Sequence, residues 1–400
     1  MVFSLPYHVA RFFRPTFLDV FSLTNTALGD AFALYGVLAM LSYFPGGAIA
    51  DRFSARRLMT TSLLATALGG LYMAQIPDDS GLTLLYGYWG ITSVLLFWAA
   101  MIKATRDWGG SAAQGRAFGI LDGGRGLVAA AVASLAVVVF GFGLPENVAT
   151  ATEVERTAAI KQVIYLYTAV TVFAAVLVWK LIPESSQVDS AQSHPTLEGL
   201  RTVLGQRVVW LQSVIVICAY CGFKGTDFYA LYAAEILNMN ELQAAEFVSS
   251  VAYLRPVAAL AAGLLVDRFS AVKVILGSFL ILGISYILLW SLSGASVSLN
   301  VLYANIVMSV VGIYALRGVY FALLEETRVA GYLTGTAVGL ISVVGYLPDI
   351  FFAPVAGRLL DASPGFSGYQ DFFAFLTFFV VVGMLATLVL AYSKKSTANT

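Results

Sequence analysis

Charge is scarce in this chain, and so are the residues of metal and redox chemistry. Only 12% of its 400 residues are Asp, Glu, Lys or Arg, while 59% are hydrophobic. A soluble domain carries about twice that charge, so a chain of this balance could not cover its own surface with polar groups. That excludes a soluble globular protein and leaves an integral membrane one. The two cysteines, Cys218 and Cys221, stand in an apolar run, where small buried side chains are expected rather than a thiol metal or redox site. The two histidines, His8 and His194, stand apart from any cysteine or carboxylate cluster. No metal site and no cofactor are therefore expected. A formal net charge of zero argues against a nucleic-acid partner. With no Gly-rich phosphate loop and no nucleophile motif, the chain does not read as an enzyme.

What is present is long apolar runs. A helix needs about 20 mainly apolar residues to cross a bilayer. Eleven stretches qualify: 26–50, 57–76, 81–104, 114–142, 160–182, 208–236, 241–266, 272–293, 297–324, 333–360 and 371–393. The predicted fold is all-α, embedded in the lipid bilayer. The longest polar break, 183–206, is rich in Ser, Gln and charge and reads as a linker. It separates an N-terminal helical bundle, 1–182, from a C-terminal six-helix bundle, 207–400. Basic residues cluster on alternate loops: Arg52, Arg56 and Arg57, then Lys103, Arg106 and Arg116, then Lys180, Arg201 and Arg207, then Arg268 and Lys273, then Arg328, then Lys394 and Lys395. The positive-inside rule then puts the linker and the C-terminus in the cytoplasm. Residues 1–25 fall outside, with neither a signal peptide nor a full span, and read as the outer end of a first helix whose beginning is missing.

One phrase occurs twice. Asp-Arg-Phe-Ser-Ala begins at Asp51 and again at Asp267, each time where a span runs into a basic loop. Glycines spaced by four (Gly115, Gly119 and Gly123) also find counterparts at Gly331, Gly335 and Gly339. The chain reads as an internal duplication.

These residues carry a family resemblance. Gly47-x-x-x-Asp51-Arg52-x-x-x-Arg56-Arg57 resembles the signature loop of the major facilitator superfamily, and Gly263-x-x-x-Asp267-Arg268-x-x-x-x-Lys273 is its echo. Pro354-x-x-Gly357-x-x-x-Asp361 is similar to the same family. The resemblance implies two pseudo-symmetric helical bundles, twelve spans in a complete member and eleven here. It also implies a solute site near the midplane, exposed alternately to either side, in a monomer. Asp51 would face the start of the eleventh helix near Gly331, and Asp267 the start of the fifth near Gln114, as gate latches. Trp98-x-x-x-x-Lys103-x-x-x-x-Trp108 resembles the organophosphate and organic-anion branch, and Lys224 lies near that branch's basic residue in its seventh helix.

Charged groups inside spans are costly and usually functional. Asp122 and Arg125 are three apart in one span, as are Lys224 and Asp227 in another. Arg255 precedes Pro256 and Asp349 follows Pro348, each near the middle of its span. Arg317 lies deep in its span and Asp30 near an outer mouth. Lys224, beside Gly222 and Gly225, is the first candidate for solute contact and Arg125 the second. Asp227, Arg255, Lys103 and Trp98 complete the binding set, and Asp122 and Asp349 are the candidate proton carriers. The expected function is a secondary transporter in a bacterial inner membrane. It would move a small hydrophilic solute, an organic anion of sugar-phosphate, carboxylate or sulfonate type, by proton coupling or exchange. The alternative is a transporter-like sensor that binds a solute without moving it.

Overall fold

Inside hydrocarbon an apolar segment can satisfy its backbone hydrogen bonds only by closing them within itself, and helices are what form. The computed structural model describes residues 4–109, 114–184, 197–292, 298–323 and 334–398, and no strand occurs among them. The chain runs through α1 (Val9–Phe12), α2 (Arg14–Val20), α3 (Asn25–Arg52), α4 (Ala55–Met73), α5 (Asp79–Ser93), α6 (Ala99–Gly109), α7 (Gln114–Phe142) and α8 (Glu153–Leu181). Then come α9 (Leu197–Leu204), α10 (Arg207–Gly225), α11 (Tyr229–Glu235), α12 (Glu241–Val251), α13 (Leu254–Arg268) and α14 (Ala271–Leu292). The last four are α15 (Leu299–Val319), α16 (Thr334–Gly345), α17 (Pro348–Ala362) and α18 (Phe366–Ala398).

Ten segments among the described residues are long and apolar enough to cross a membrane, and they overlap ten of the eleven expected spans. The remaining one, 57–76, is the 19-residue helix α4, which opens on Arg56 and Arg57. Large apolar side chains stand fully outward on these helices, with Leu84 70% exposed and Leu260 67%. Such faces would drive aggregation in water and fit a hydrocarbon surround.

The chain forms two compact units. The first comprises Met1–Ser190, Asp227–Tyr253 and Asp349–Arg358; the second comprises Ala191–Thr226, Leu254–Pro348 and Leu359–Thr400. Within the first, α3 packs on α5, α4 on α8, and α7 on both α8 and α12. Glycine lets α3 and α17 approach backbone to backbone: a Cβ at Gly29 would meet the Ala353 carbonyl oxygen at 2.5 Å, and Gly36 and Gly357 are equally tight against Asp349 and Asn25. The same unit is tied by polar pairs. The Glu241 carboxylate accepts from Arg156 at 2.6 Å and from the Thr16 hydroxyl at 2.8 Å, and Arg358 grips Asp30 through two nitrogens at 2.8 and 3.1 Å. Within the second unit, α13 packs on α15, α14 on α15 and α18, and α10 on α16 and α18. There Ser285 and Asn305 each donate a side-chain hydrogen bond to the other's carbonyl, at 2.8 and 3.0 Å, the kind of polar glue helices use in lipid.

The duplication suggested by the doubled phrase is written into the backbone. Thr24 caps the start of α3 and Asn240, 216 positions on, caps the start of α12. Ser22 and Asn238, again 216 apart, both adopt left-handed backbone, with φ of 51° and 53°. Ser54 and Ser270 each accept the amide of the residue three further on, Arg57 and Lys273, at 3.4 Å. At Ser22/Asn238 and Thr24/Asn240 the side chains differ while the turns they make do not.

Candidate functional site

Residues 6–20, expected to lie outside the membrane-spanning set, form a short broken helical segment packed into the first unit. Pro15 explains the break. A proline ring clashes with the carbonyl four residues back and is tolerated only in a helix's first turn. So α1 stops at Phe12, Phe13 leaves helical geometry at φ −117° and ψ 33°, and α2 restarts at Arg14. That interruption places two guanidinium groups in the interior, Arg11 at 7% exposure and Arg14 at 0%.

A second interruption meets it. After α10 the chain makes a 3-10 turn, Thr226–Phe228, before α11 begins. Asp227 on that turn is 4% exposed and accepts a hydrogen bond from Arg11 Nε at 2.5 Å. Arg11 and Asp227 are themselves 216 positions apart, so the ion pair joins corresponding positions of the two repeats. Arg14 Nε donates to Asn25 Oδ1 at 2.9 Å, and its guanidinium carbon stands 4.0 Å above the Phe228 ring. Broken helices that bring polar groups together inside a membrane protein are a recurrent way of building a solute site.

Aromatic hydroxyls surround this pair. Tyr7 contacts the rings of Phe32, Tyr35 and Tyr86 at centroid distances of 5.2, 4.4 and 5.1 Å. The charges of Arg14 and Asp227 are felt at Tyr86, and that of Arg11 at Tyr167. The Tyr86 and Tyr167 hydroxyls are buried and find no hydrogen-bond partner among the described protein atoms. An orphaned buried hydroxyl is unfavourable by about 1–3 kcal/mol, and such groups usually mark a place where something polar is received.

The sequence-derived candidates are dispersed. Lys224 is buried, at 3% exposure. Arg255 stands 5.8 Å from the Tyr314 ring, while Arg317 lies 3.9 Å over Phe223 and 5.3 Å from Tyr220. Arg125 faces Trp98 at 5.5 Å, and Trp98 closes a π-helical stretch, Val94–Trp98, a distortion frequent at functional positions. Lys103 donates to the Ala50 carbonyl at 2.8 Å, capping the last turn of α3 as a cation can. Asp349 is half-buried in the first turn of α17, and the Asp122 side chain lies outside the described residues. On the basic loops Asp51, Arg52, Asp267 and Arg268 are exposed, and Gly47 and Gly263 have open space beside them. Arg56 and Arg57 both pair with Glu184, at 3.1 and 2.5 Å. Of the expected latch partners, Gly331 and the Gln114 side chain lie outside the described residues.

Arg11 and Arg14 escaped the sequence reading because their segment is too short and too broken to score as a span. One signal was available: a shift of 216 lays Arg11-Phe12-Phe13 over Asp227-Phe228-Tyr229, and His8 over Lys224.

Comparison with known proteins places this architecture. A family model described as Major Facilitator Superfamily matches residues 2–353. Inner membrane protein YqcE of Escherichia coli K12 is 27% identical over 364 residues, covering 87% of this chain and 82% of that protein. Inner membrane protein YihN of the same organism is 25% identical over 400 residues, covering 97% and 92%. The crystal structure of a D-xylose-proton symporter superposes with a TM-score of 0.75 at 14% identity, covering 97% of this chain and 94% of that one.

Proposed function

This chain belongs to the Major Facilitator Superfamily and is a multi-pass membrane transporter rather than an enzyme, and from that premise we propose that its cargo is a small organic anion. It moves that solute, of sugar-phosphate, carboxylate or sulfonate type, by alternating access coupled to a proton or to exchange. The setting is the bacterial inner membrane, as the names of its E. coli relatives suggest, with the C-terminus in the cytoplasm. The Asp51 and Asp267 loops serve as its inner latches.

One observation carries the anion reading. Among the described residues of the first unit, the buried charged side chains are Arg11 and Arg14 against the single carboxylate Asp227. The interior charges read from sequence did not include Arg11 and Arg14. A buried positive excess is costly in a low-dielectric interior, and an anionic solute relieves it. A planar guanidinium with several donors also matches the geometry of carboxylate, sulfonate and phosphate. The proton-coupling reading rests on Asp227, a carboxylate buried at 4% exposure against Arg11.

Uptake of labelled glucose 6-phosphate, gluconate and isethionate into proteoliposomes tests this, with and without an imposed pH gradient. At least one anion is expected to accumulate, and an inside-alkaline gradient to drive it. Arg14→Gln should lower uptake at limiting solute by on the order of tenfold to a hundredfold, the range set by one charge-assisted hydrogen bond. Arg14→Lys should restore it in part, keeping the charge without the fork. No flux of any anion would overturn the reading, and binding without flux would favour a sensor.

A further inference from the structure

We infer that Arg317 and the tyrosines beside it read the solute's hydroxyl groups together with its charge, which narrows the cargo to a polyhydroxylated acid. This rests on the organic-anion reading above and adds the residues, all in the second unit, that set which anion is preferred.

Arg317 lies five residues from the end of the 23-residue span Asn300–Ala322. A long cation so placed ordinarily snorkels to the headgroups. Here the guanidinium turns inward instead, with its carbon 3.9 Å over the Phe223 ring and 5.3 Å from the Tyr220 ring, both on α10. Stacking of this kind fixes the position of the group and presents a planar fork suited to an oxyanion. Arg317 is half-buried, and a charge at this depth faces the bundle interior rather than lipid. Tyr314, Arg317 and Tyr320 recur every third residue, along the end of α15 and the 3-10 turn Tyr320–Ala322, and so share one face. Arg255 adds a second cation there, 5.8 Å from the Tyr314 ring. At the other end the Tyr320 hydroxyl stands 3.5 Å from that of Tyr346, whose ring meets Tyr220 at 4.9 Å.

Close helix packing holds this face in place. A Cβ at Gly318 would come within 3.0 Å of Ala259 Cα on α13, and one at Gly345 would strike the Val216 side chain on α10. Gln212 of α10 donates to the Tyr320 carbonyl at 3.1 Å, tying the end of α15 to the same helix. Phe223, Tyr320 and Gln212 are buried, whereas Tyr220 and Tyr346, like Arg317, are half-buried. The accessible groups are therefore a guanidinium and two tyrosines. A guanidinium takes an oxyanion, and a phenol hydroxyl both gives and accepts a hydrogen bond, which suits a chain of hydroxyl groups. A site built to bind hydroxyls also rejects the analogue that lacks them, because its own polar groups are then left unmatched. An acid with a plain alkyl chain is such an analogue.

The test is equilibrium binding of labelled gluconate, glucose 6-phosphate, isethionate and hexanoate to purified protein. Hexanoate has gluconate's carboxylate and carbon count without its hydroxyls. Gluconate or glucose 6-phosphate should bind on the order of tenfold or more tightly than hexanoate and isethionate. Tyr346→Phe keeps the ring and removes one hydroxyl, so it should weaken the preferred anion about fivefold and leave hexanoate as it was. Arg317→Gln should weaken every anion by on the order of tenfold or more, and Arg317→Lys should not restore binding, because an ammonium lacks the stacked fork. Melting temperatures taken without solute separate contact from packing. An Arg317→Gln protein that melts earlier yet binds like the wild type overturns the proposal. So does a wild type that prefers hexanoate or isethionate, or a Tyr346→Phe protein whose preference is unaltered. If Arg317→Gln does not fold, Tyr346→Phe decides the matter by the same two readings. Binding of none of the four anions by the wild type sinks the anion reading itself, which separates the two failures.

Discussion

At the scale of single residues, the most telling positions are those where the chain does something its side chain resists. Ser22 and Asn238 hold left-handed backbone at φ 51° and 53°, a conformation that puts an ordinary residue about 1–2 kcal/mol above its right-handed state. Asn tolerates it better than most residues, and glycine tolerates it without strain. Ser22→Gly should therefore leave thermal stability in detergent unchanged or raised, while Ser22→Val lowers it, since a β-branched side chain fits positive φ worse than serine does. Equal melting temperatures for the two variants would show that the turn is not what holds the start of α3. The same scale shows where sequence reading failed. The charges it found lie within long runs that scored as spans. Arg11 and Arg14 lie between Pro6 and Pro15, in a stretch that reads as a flank because proline divides it. Burial, the property that matters, comes from tertiary packing and leaves no mark in a window of hydropathy.

At the scale of elements, the apolar runs were legible because a bilayer imposes one length on all of them. Their interruptions were legible only in part. The turns at Ala252–Tyr253 and Tyr346–Leu347 lie just before Pro256 and Pro348, where a proline disturbs the preceding turn, but nothing in the sequence marks the end of regular helix at Gly225. The polar ties between helices were hidden for another reason: they join residues far apart in the chain. Glu241 heads α12 and holds both Arg156 on α8 and Thr16 on α2. With Arg156 and Glu241 at 28% and 14% side-chain exposure, this tie is better shielded than a surface pair. Removing one carboxylate leaves Arg156 and Thr16 without it at once. Glu241→Gln should lower the melting temperature and increase cysteine-reagent access to a probe placed at Thr16. Arg156→Gln combined with Glu241→Gln should cost less than the sum of the single changes. Strict additivity in that double-mutant cycle would mean that the two groups do not interact.

At the scale of the whole molecule, the chain passes from one compact unit to the other at five places, Ser190/Ala191, Thr226/Asp227, Tyr253/Leu254, Pro348/Asp349 and Arg358/Leu359. The last lies within α17, but the second, third and fourth fall at or beside helix interruptions: the 3-10 turn Thr226–Phe228, the turn at Ala252–Tyr253 and the turn at Tyr346–Leu347. A helix bends most readily where its hydrogen-bond ladder is already broken, so these are the natural hinges of a protein that must change shape to move a solute. The segment Asp349–Arg358 belongs to the same unit as α3 and glycine seats it there backbone to backbone, so it should stay with α3 while these hinges flex. The Asp30–Arg358 pair allows this to be tested, because both side chains are about half exposed, at 49% and 56%. An exposed pair of this kind contributes only about 0–1 kcal/mol, so Asp30→Cys with Arg358→Cys should still fold and transport. The native Cys218 and Cys221 are buried, leaving the introduced thiols as the reactive ones. A bis-methanethiosulfonate linker joining them should therefore leave uptake undiminished. Uptake stopped by complete cross-linking, and restored in the same vesicles by a thiol reductant, would show instead that this contact opens during transport.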